Sequence, residues 1–309
     1  MKKILCPTKA EVLRAIFSML LSLSLFLAYL TISVTPHAAN ADEPQVFTFT
    51  AIPDQDASQL RQRFSVVADY LSQQLGMPVK YIPVKSYAAA VTAFRNNQVQ
   101  LAWFGGLSGV RARSLVVGSE AIAQGIEDPH FKSYFIANTR TGLKPSDDFP
   151  LAMLDHTFTF GSKGSTSGRL MPEYYIRQNS QRSPEEFFKR VGFSGDHSRT
   201  IALVEAGSFD IGAVNYKVWE RAVAEGKVDT KRVEVIWQTP DYPDYHWTIR
   251  GDIDNHYGAG SEQKLRHALL NMNQPALLAA FPRSGFIAAN NNDFQPIEEV
   301  ARALGLLRR

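Results

Sequence analysis

A chain of 309 residues, 45% apolar and 20% charged, has ample material for a core and room for one large domain or two ordinary ones. Four of its 33 bases and one of its 30 acids fall in residues 1–41. The remainder therefore carries 29 of each, and this neutrality gives a nucleic-acid or membrane-surface role no electrostatic support. The one cysteine, Cys6, lies in the same N-terminal stretch, so residues 42–309 have no disulfide, thiolate nucleophile or cysteine metal site.

Lys2 and Lys3 precede an apolar run, "AIFSMLLSLSLFLAYLTISV", from Ala15 to Val34, and then "TPHAANADEP". Ala39-Asn40-Ala41 fits the small-x-small cleavage pattern, so residues 1–41 are expected to be a secretory signal and the mature chain to start near Asp42 in the periplasm. An uncleaved anchor is the other reading, because the run is long enough to span a bilayer. Cys6 precedes that run and is not placed for lipoprotein acylation.

Val46 to Ala51 reads as a strand. "SQLRQRFSVVADYLSQQLG" follows, with Leu60, Phe64, Val67, Ala68 and Leu71 at helical spacing and Gly76 as the stop. "PVKYIPV" is a second strand, "SYAAAVTAFRNNQ" a helix capped by Ser86, and "VQLAWFGG" a third strand. Strands alternating with helices predict an α/β chain with a parallel sheet. The plan then returns: "RTIALVEAGSFDIGAVNY" (199–216) has the shape of "AAAVTAFRNNQVQLAWFGG" (88–106). Two lobes are expected, with residues 42–134 and 246–309 in the first and 135–245 in the second. Strand-like "HFKSYFIANT" (130–139) and "PDYPDYHWTIRGDI" (240–253) would form two crossover strands, the hinge on which the lobes close. The C-terminal helices, Ser261 to Phe281 and Ile297 to Leu307, would return to the first lobe.

Between a strand ending at Phe160 and a helical pattern lies "GSKGSTSGRL" (161–170). Gly and Ser serve any short loop. The sharper reading is that backbone N–H groups and the hydroxyls of Ser165, Thr166 and Ser167 converge on an anion at a helix N-terminus, where the dipole favours negative charge. Arg169 could add charge or face solvent. Pro172 starts or kinks the following helix. In open α/β sheets ligands bind at the carboxyl ends of strands, which here carry Trp103-Phe104-Gly105-Gly106 and Asn215-Tyr216.

A signal peptide, two αβ lobes, "KSYAAAVTAF", "AWFGG", "GSTSGRLMP", "GDHSRTIALV" and "DIGAVNY", in this order, resemble the periplasmic phosphonate-binding proteins of ABC importers over nearly all of residues 42–309. Within that family the chain is most similar to the branch proposed to bind selenate or a related oxyanion. The resemblance implies a two-lobed type II periplasmic binding fold. It also implies a monomeric, non-catalytic receptor without cofactor or metal, which hands a small oxyanion or phosphonate to the transmembrane subunits of a permease. It places the oxyanion loop on Ser165, Thr166 and Ser167, a tyrosine contact on Tyr87, a histidine contact on His197 and aromatic cleft wall on Trp103 and Phe104. His197, with Ser198 as a candidate helix cap, is expected to be protonated beside an anion.

Family members that hold an amino-phosphonate set carboxylates against the ammonium group. Here the second-lobe strand end carries Asn215 and Tyr216, and the return crossover carries Tyr245, His246 and Trp247, with Asp241 and Asp244 close by. A pocket without an inward acid would lack an acceptor for a P–OH proton and favour a fully deprotonated anion such as selenate or sulfate; one inward aspartate overturns that reading. Two rivals remain. The same fold could be a ligand-sensing domain, and Ser165, His197 and Asp196 invite comparison with a hydrolase triad. Adjacent Asp196 and His197 would diverge, and Gly164-Ser165-Thr166-Ser167-Gly168 puts Thr at the centre of a nucleophile elbow. His130, His156, His246 and His256 are too scattered for a metal motif.

Overall fold

The computed structural model describes residues 9, 10, 14 and 45–307. The expected signal segment, its cleavage point and Cys6 lie outside the described residues, among which no helix is long and apolar enough to cross a membrane.

The first lobe begins with β1 (Phe47–Ala51), α1 (Ala57–Leu75), β2 (Val79–Tyr81), α2 (Tyr87–Arg95), β3 (Leu101–Phe104), α3 (Gly106–Leu115) and β4 (Glu120–Gly125). Helix α1 shows why the pattern was readable. Asp56 Oδ1 accepts from the N–H groups of Ser58 and Gln59 at 2.9 and 3.3 Å, satisfying donors that a helix start leaves open. Leu60, Phe64, Val67, Ala68 and Leu71 are buried, and Gly76 ends the helix at φ 69°. The second lobe contains β5 (Ser133–Asn138), β6 (Thr157–Phe160), α4 (Met171–Ser180), α5 (Pro184–Phe187), β7 (Arg190–Phe193), α6 (His197–Glu205), β8 (Ile211–Asn215), α7 (Tyr216–Ala224) and β9 (Val233–Gln238). The chain then returns as β10 (His246–Ile249), α8 (Ile253–Tyr257), α9 (Ser261–Leu270), α10 (Pro275–Leu278), β11 (Phe286–Ala288) and α11 (Gln295–Ala303). The single helix expected from Ser261 to Phe281 is thus two, separated ahead of Pro275, which cannot continue a helix.

The strand order is β11-β4-β10-β3-β1-β2 in one sheet and β7-β6-β8-β5-β9 in the other. Neither sheet is wholly parallel, contrary to the sequence expectation. Strand β10 runs antiparallel to β3 and β4, and β5 antiparallel to β8 and β9. Both β5 and β10 begin where the chain has just crossed between lobes, so Ser133 lies beside Asn215 and His246 beside Phe104. Each crossing therefore delivers its residues to a strand end. The second lobe's sheet is apolar on both faces: Phe135 and Ala137 of β5 join one core layer, and Ile136 between them joins the other.

The five-stranded sheet runs from Ser133 to Gln238, slightly offset from the expected 135–245. The crossings are irregular segments rather than full strands. They pair once, Phe131 with Tyr242, through backbone bonds of 3.0 and 2.9 Å. Beside that bridge, Arg283 donates to both carboxylate oxygens of Asp128, with contacts of 2.7–3.0 Å, and both side chains are buried. The Asp128 carbonyl accepts from Asp244 N–H at 3.1 Å, so this pair is tied to the second crossing. Removing one partner of a buried pair leaves an uncompensated charge. Arg283→Met is expected to lower the unfolding free energy by about 3–5 kcal/mol, measured by urea denaturation, and Asp128→Asn in that background to recover part of the loss.

Candidate functional site

Strand β6 ends at Phe160, and residues 161–165 lead into one wide helical turn, Thr166–Leu170, that passes into α4. Ser165 caps the turn, its Oγ accepting from Gly168 N–H at 2.9 Å. Thr166 and Ser167 follow at the start of the turn, where backbone N–H groups have no intrahelical acceptor. All three hydroxyl residues are at most 2% exposed. Arg169 takes neither expected role: it pairs with buried Glu173 and lies over the rings of Phe160 and Phe193.

The first lobe meets this loop through α3. Gly106 N–H donates to Asp244 Oδ1 at 2.8 Å, and Leu107 N–H donates to Thr166 Oγ1 at 3.0 Å. A Cβ at Gly105 would lie 2.9 Å from Asp244 Oδ1 and 3.2 Å from Thr166 Oγ1, so glycine permits the approach. Asp244 is 1% exposed. Loss of solvent raises its pKa to about 7, against hydrogen bonds from Thr166 and Gly106 that favour ionisation. Among the described residues its Oδ2 has no hydrogen-bond partner, and neither does Tyr87 Oη. Tyr87 opens α2, whose cap Ser86 accepts from Ala89 N–H at 3.1 Å. Burial holds its hydroxyl well above the ordinary tyrosine pKa, and the charges of Asp54 and Asp244 add to the effect.

Asp54, which sequence reasoning missed, is a further buried carboxylate near this loop. Its Oδ2 accepts from Tyr245 Oη at 2.8 Å, and burial raises its pKa to about 6 against that bond. Its carbonyl accepts from His197 N–H at 3.0 Å, another contact between lobes. The only sequence signal was position, just past the end of β1 in "PDQD", where a turn aspartate explains itself equally well. Asp241 is exposed and faces His130 and Lys132 at 3.6 and 3.7 Å. The acid-free pocket is therefore corrected by buried Asp244 and Asp54.

His197 is fully buried as the first residue of α6, and the helix cap is Asp196 rather than Ser198. Its Nδ1 accepts from Asn215 N–H at 3.3 Å, which assigns the ring proton to Nε2, on the side of Ser167 Oγ at 3.5 Å. Burial lowers its pKa to about 3, so the imidazole is neutral rather than protonated as expected. Asp196 Oδ1 accepts from Arg199 N–H at 2.8 Å, and among the described residues no carboxylate bonds His197 Nδ1, so the Ser-His-Asp relay is not assembled.

The remaining expected positions divide. Asn215 caps α7 through Oδ1 and donates from Nδ2 to Tyr245 Oη at 3.1 Å. Trp103 stacks on Tyr245 at 5.6 Å, backing the cleft rather than contacting the loop. Phe104 packs on Phe94 in the lobe core, and Tyr216 on Phe131 beside the hinge. Strand alternation explains Phe104: neighbouring Trp103 and Phe104 point to opposite faces. Outside this cluster a cleft of about 1220 Å³, lined by Tyr87, Gly164 and Asp196 among others, opens between the lobes.

The family described as "ABC transporter, phosphonate, periplasmic substrate-binding protein" matches residues 49–294. The chain is 43% identical over 272 residues to the probable ABC transporter phosphite binding protein PhnD1 of Prochlorococcus marinus (strain MIT 9301), covering 86% of this chain and 92% of the relative. The structure of that PhnD1 in complex with methylphosphonate matches with a TM-score of 0.82 and 42% identity, over 85% of this chain and 100% of the other. A binding protein component of an ABC phosphonate transporter from Pseudomonas aeruginosa matches with a TM-score of 0.73 and 25% identity, over 84% and 86% of the two chains.

Raised carboxyl pKa values have a definite sign in stability. The folded chain holds the Asp244 proton to about pH 7, whereas the unfolded chain releases it near 3.8, so Asp244 lowers stability progressively as pH rises through that window. Asp244→Asn is expected to gain on the native chain between those limits, by up to about 4 kcal/mol, in urea unfolding of the two proteins across pH. A constant difference would contradict the burial argument.

Proposed function

The chain belongs to the periplasmic substrate-binding proteins of ABC phosphonate transporters, and from that premise we propose that it captures phosphite or a small phosphonate as a singly protonated anion. The observation that carries this reading is the pairing of two unmatched buried atoms of opposite character, Tyr87 Oη and Asp244 Oδ2, beside Ser165, Thr166 and Ser167. A hydroxyl donor suits an ionised ligand oxygen. An ionised carboxylate oxygen can only accept, and a P–OH group supplies the proton it needs. Sulfate and selenate, deprotonated at neutral pH, bring no proton and offer an ionised Asp244 only lone pairs and charge repulsion.

In this reading the hydroxyls of Ser165 and Ser167, the free N–H groups of the turn at Thr166 and Ser167 and neutral His197 Nε2–H join Tyr87 in donating to the ligand's oxygens, while the Thr166 hydroxyl serves Asp244. Hydrogen bonds to a charged acceptor contribute about 1.5–3 kcal/mol each, so a few such bonds reach micromolar affinity. Asn215 and Trp103 act through Tyr245, which they hold against Asp54. Phe104 and Tyr216 serve packing. The receptor works as a monomer, reaches the periplasm by its signal segment and delivers its cargo to the transmembrane subunits of a permease. It makes and breaks no covalent bond, in keeping with relatives described as binding proteins.

Calorimetric titration with phosphite, methylphosphonate, 2-aminoethylphosphonate, phosphate, sulfate and selenate tests the proposal. Phosphite or methylphosphonate is expected to bind at least about 100-fold more tightly than sulfate or selenate, a difference of about 2.7 kcal/mol. Tyr87→Phe is expected to weaken the preferred ligand by about 10- to 100-fold. Tight sulfate binding would refute the shared proton. Preference for the aminophosphonate would assign Asp54 and Asp244 to an ammonium group instead.

A further inference from the structure

The cleft mouth has a charge pattern that the inner site does not explain. Arg61 on α1, Lys85 ahead of α2 and Arg111 on α3 line it from the first lobe, and Lys163 and Arg199 line it from the second. None of the five forms an ion pair among the described residues. The two acids of the same lining, Asp56 and Asp196, each cap a helix, so their charge is set against the positive ends of α1 and α6. The mouth thus carries a net excess of three positive charges, on residues 42–309 whose 29 bases and 29 acids cancel. Most of these cations are exposed, and Arg111 is half-buried with its guanidinium on the Leu306 carbonyl at 2.8 Å.

The inner site poses the opposite problem. An approaching anion meets two carboxylates, Asp54 and Asp244, in a small buried cluster. Neutral hydroxyls and amides there act over hydrogen-bond distance only. A ring of cations outside acts farther, over a Debye length of about 8 Å at physiological salt and about 30 Å at 0.01 M. A cleft with low-dielectric walls focuses such a field and can raise association rates by about 10–1000-fold. We propose that Arg61, Lys85, Arg111, Lys163 and Arg199 form an outer capture surface for small oxyanions, which sets the rate of ligand entry without contacting the closed-in ligand. This inference rests on the anion reading above and concerns kinetics that the inner site does not determine.

Stopped-flow tryptophan fluorescence with phosphite as probe tests it, at about 0.01 and about 0.15 M salt, on the full chain and on a Lys85→Gln/Lys163→Gln/Arg199→Gln variant. The native association rate is expected to fall by about 10-fold over this salt range. The variant should start about 10-fold slower and lose most of its salt dependence, with the dissociation rate unchanged within about 2-fold. A native rate insensitive to salt, an unaltered rate in the variant, or a loss confined to dissociation would overturn the capture surface while leaving phosphite binding intact. Complete absence of phosphite binding by the native chain is a different result. It would remove the anion reading and this inference with it.

Discussion

The Asp244 carboxylate, gripped by the N-terminus of α3 beside Thr166, is the constraint on which the rest of this cleft depends. Taking an aspartate out of water is costly unless donors replace the lost hydration. Here Gly106 N–H supplies one at 2.8 Å, and Gly105 lets the carboxylate come that close. The same helix start also holds Thr166 through Leu107 N–H. One helix end therefore fixes an acid from the return crossing and a hydroxyl from the opposite lobe, and burial keeps the acid's proton labile near neutrality.

Around that point the lobes are joined by polar contacts as well as by apolar packing, in which Leu170 and Met171 of the second lobe reach the first lobe's core. His197 N–H reaches the Asp54 carbonyl, Tyr245 Oη reaches the Asp54 carboxylate, and Asn215 Nδ2 steadies the tyrosine. Such contacts exchange readily with water, which suits the opening and closing proposed for this cleft. The hinge behind them is stiffened where it can be: the Phe131–Tyr242 bridge and the Asp128–Arg283 pair keep the crossings together. Arg283 also lies over the Tyr245 ring at 5.2 Å, so the hinge pair and the site share a wall.

Much of the fold was legible because local rules governed it. The spacing of Leu60, Phe64, Val67 and Leu71 and the stop at Gly76 specified α1 without reference to anything distant. The repeated helix–strand plan gave two lobes, and the small hydroxyl cluster at 165–167 marked the loop. What sequence could not give was long-range. The direction of β5 and β10 depends on where each crossing re-enters a sheet. Asp54 and Asp244 lie in turn-like stretches that periodicity does not interpret, and only the meeting of two lobes buries them. The charge state of His197 failed for the same reason: an anion nearby argues for protonation, while complete burial and an acceptor role at Nδ1 argue more strongly against it. Phe104 and Trp103 could be placed on a strand but not assigned to a face.

The central claim is that one proton is shared between Asp244 and a ligand oxygen. The most direct measurement is the proton stoichiometry of phosphite binding, obtained by calorimetry in buffers of different ionisation enthalpy. Above about pH 8 both partners are ionised before they meet, so the account predicts uptake approaching one proton per ligand bound, and its disappearance in Asp244→Asn. Binding without proton uptake at that pH would show that the carboxylate takes no proton from the complex and would contradict the account.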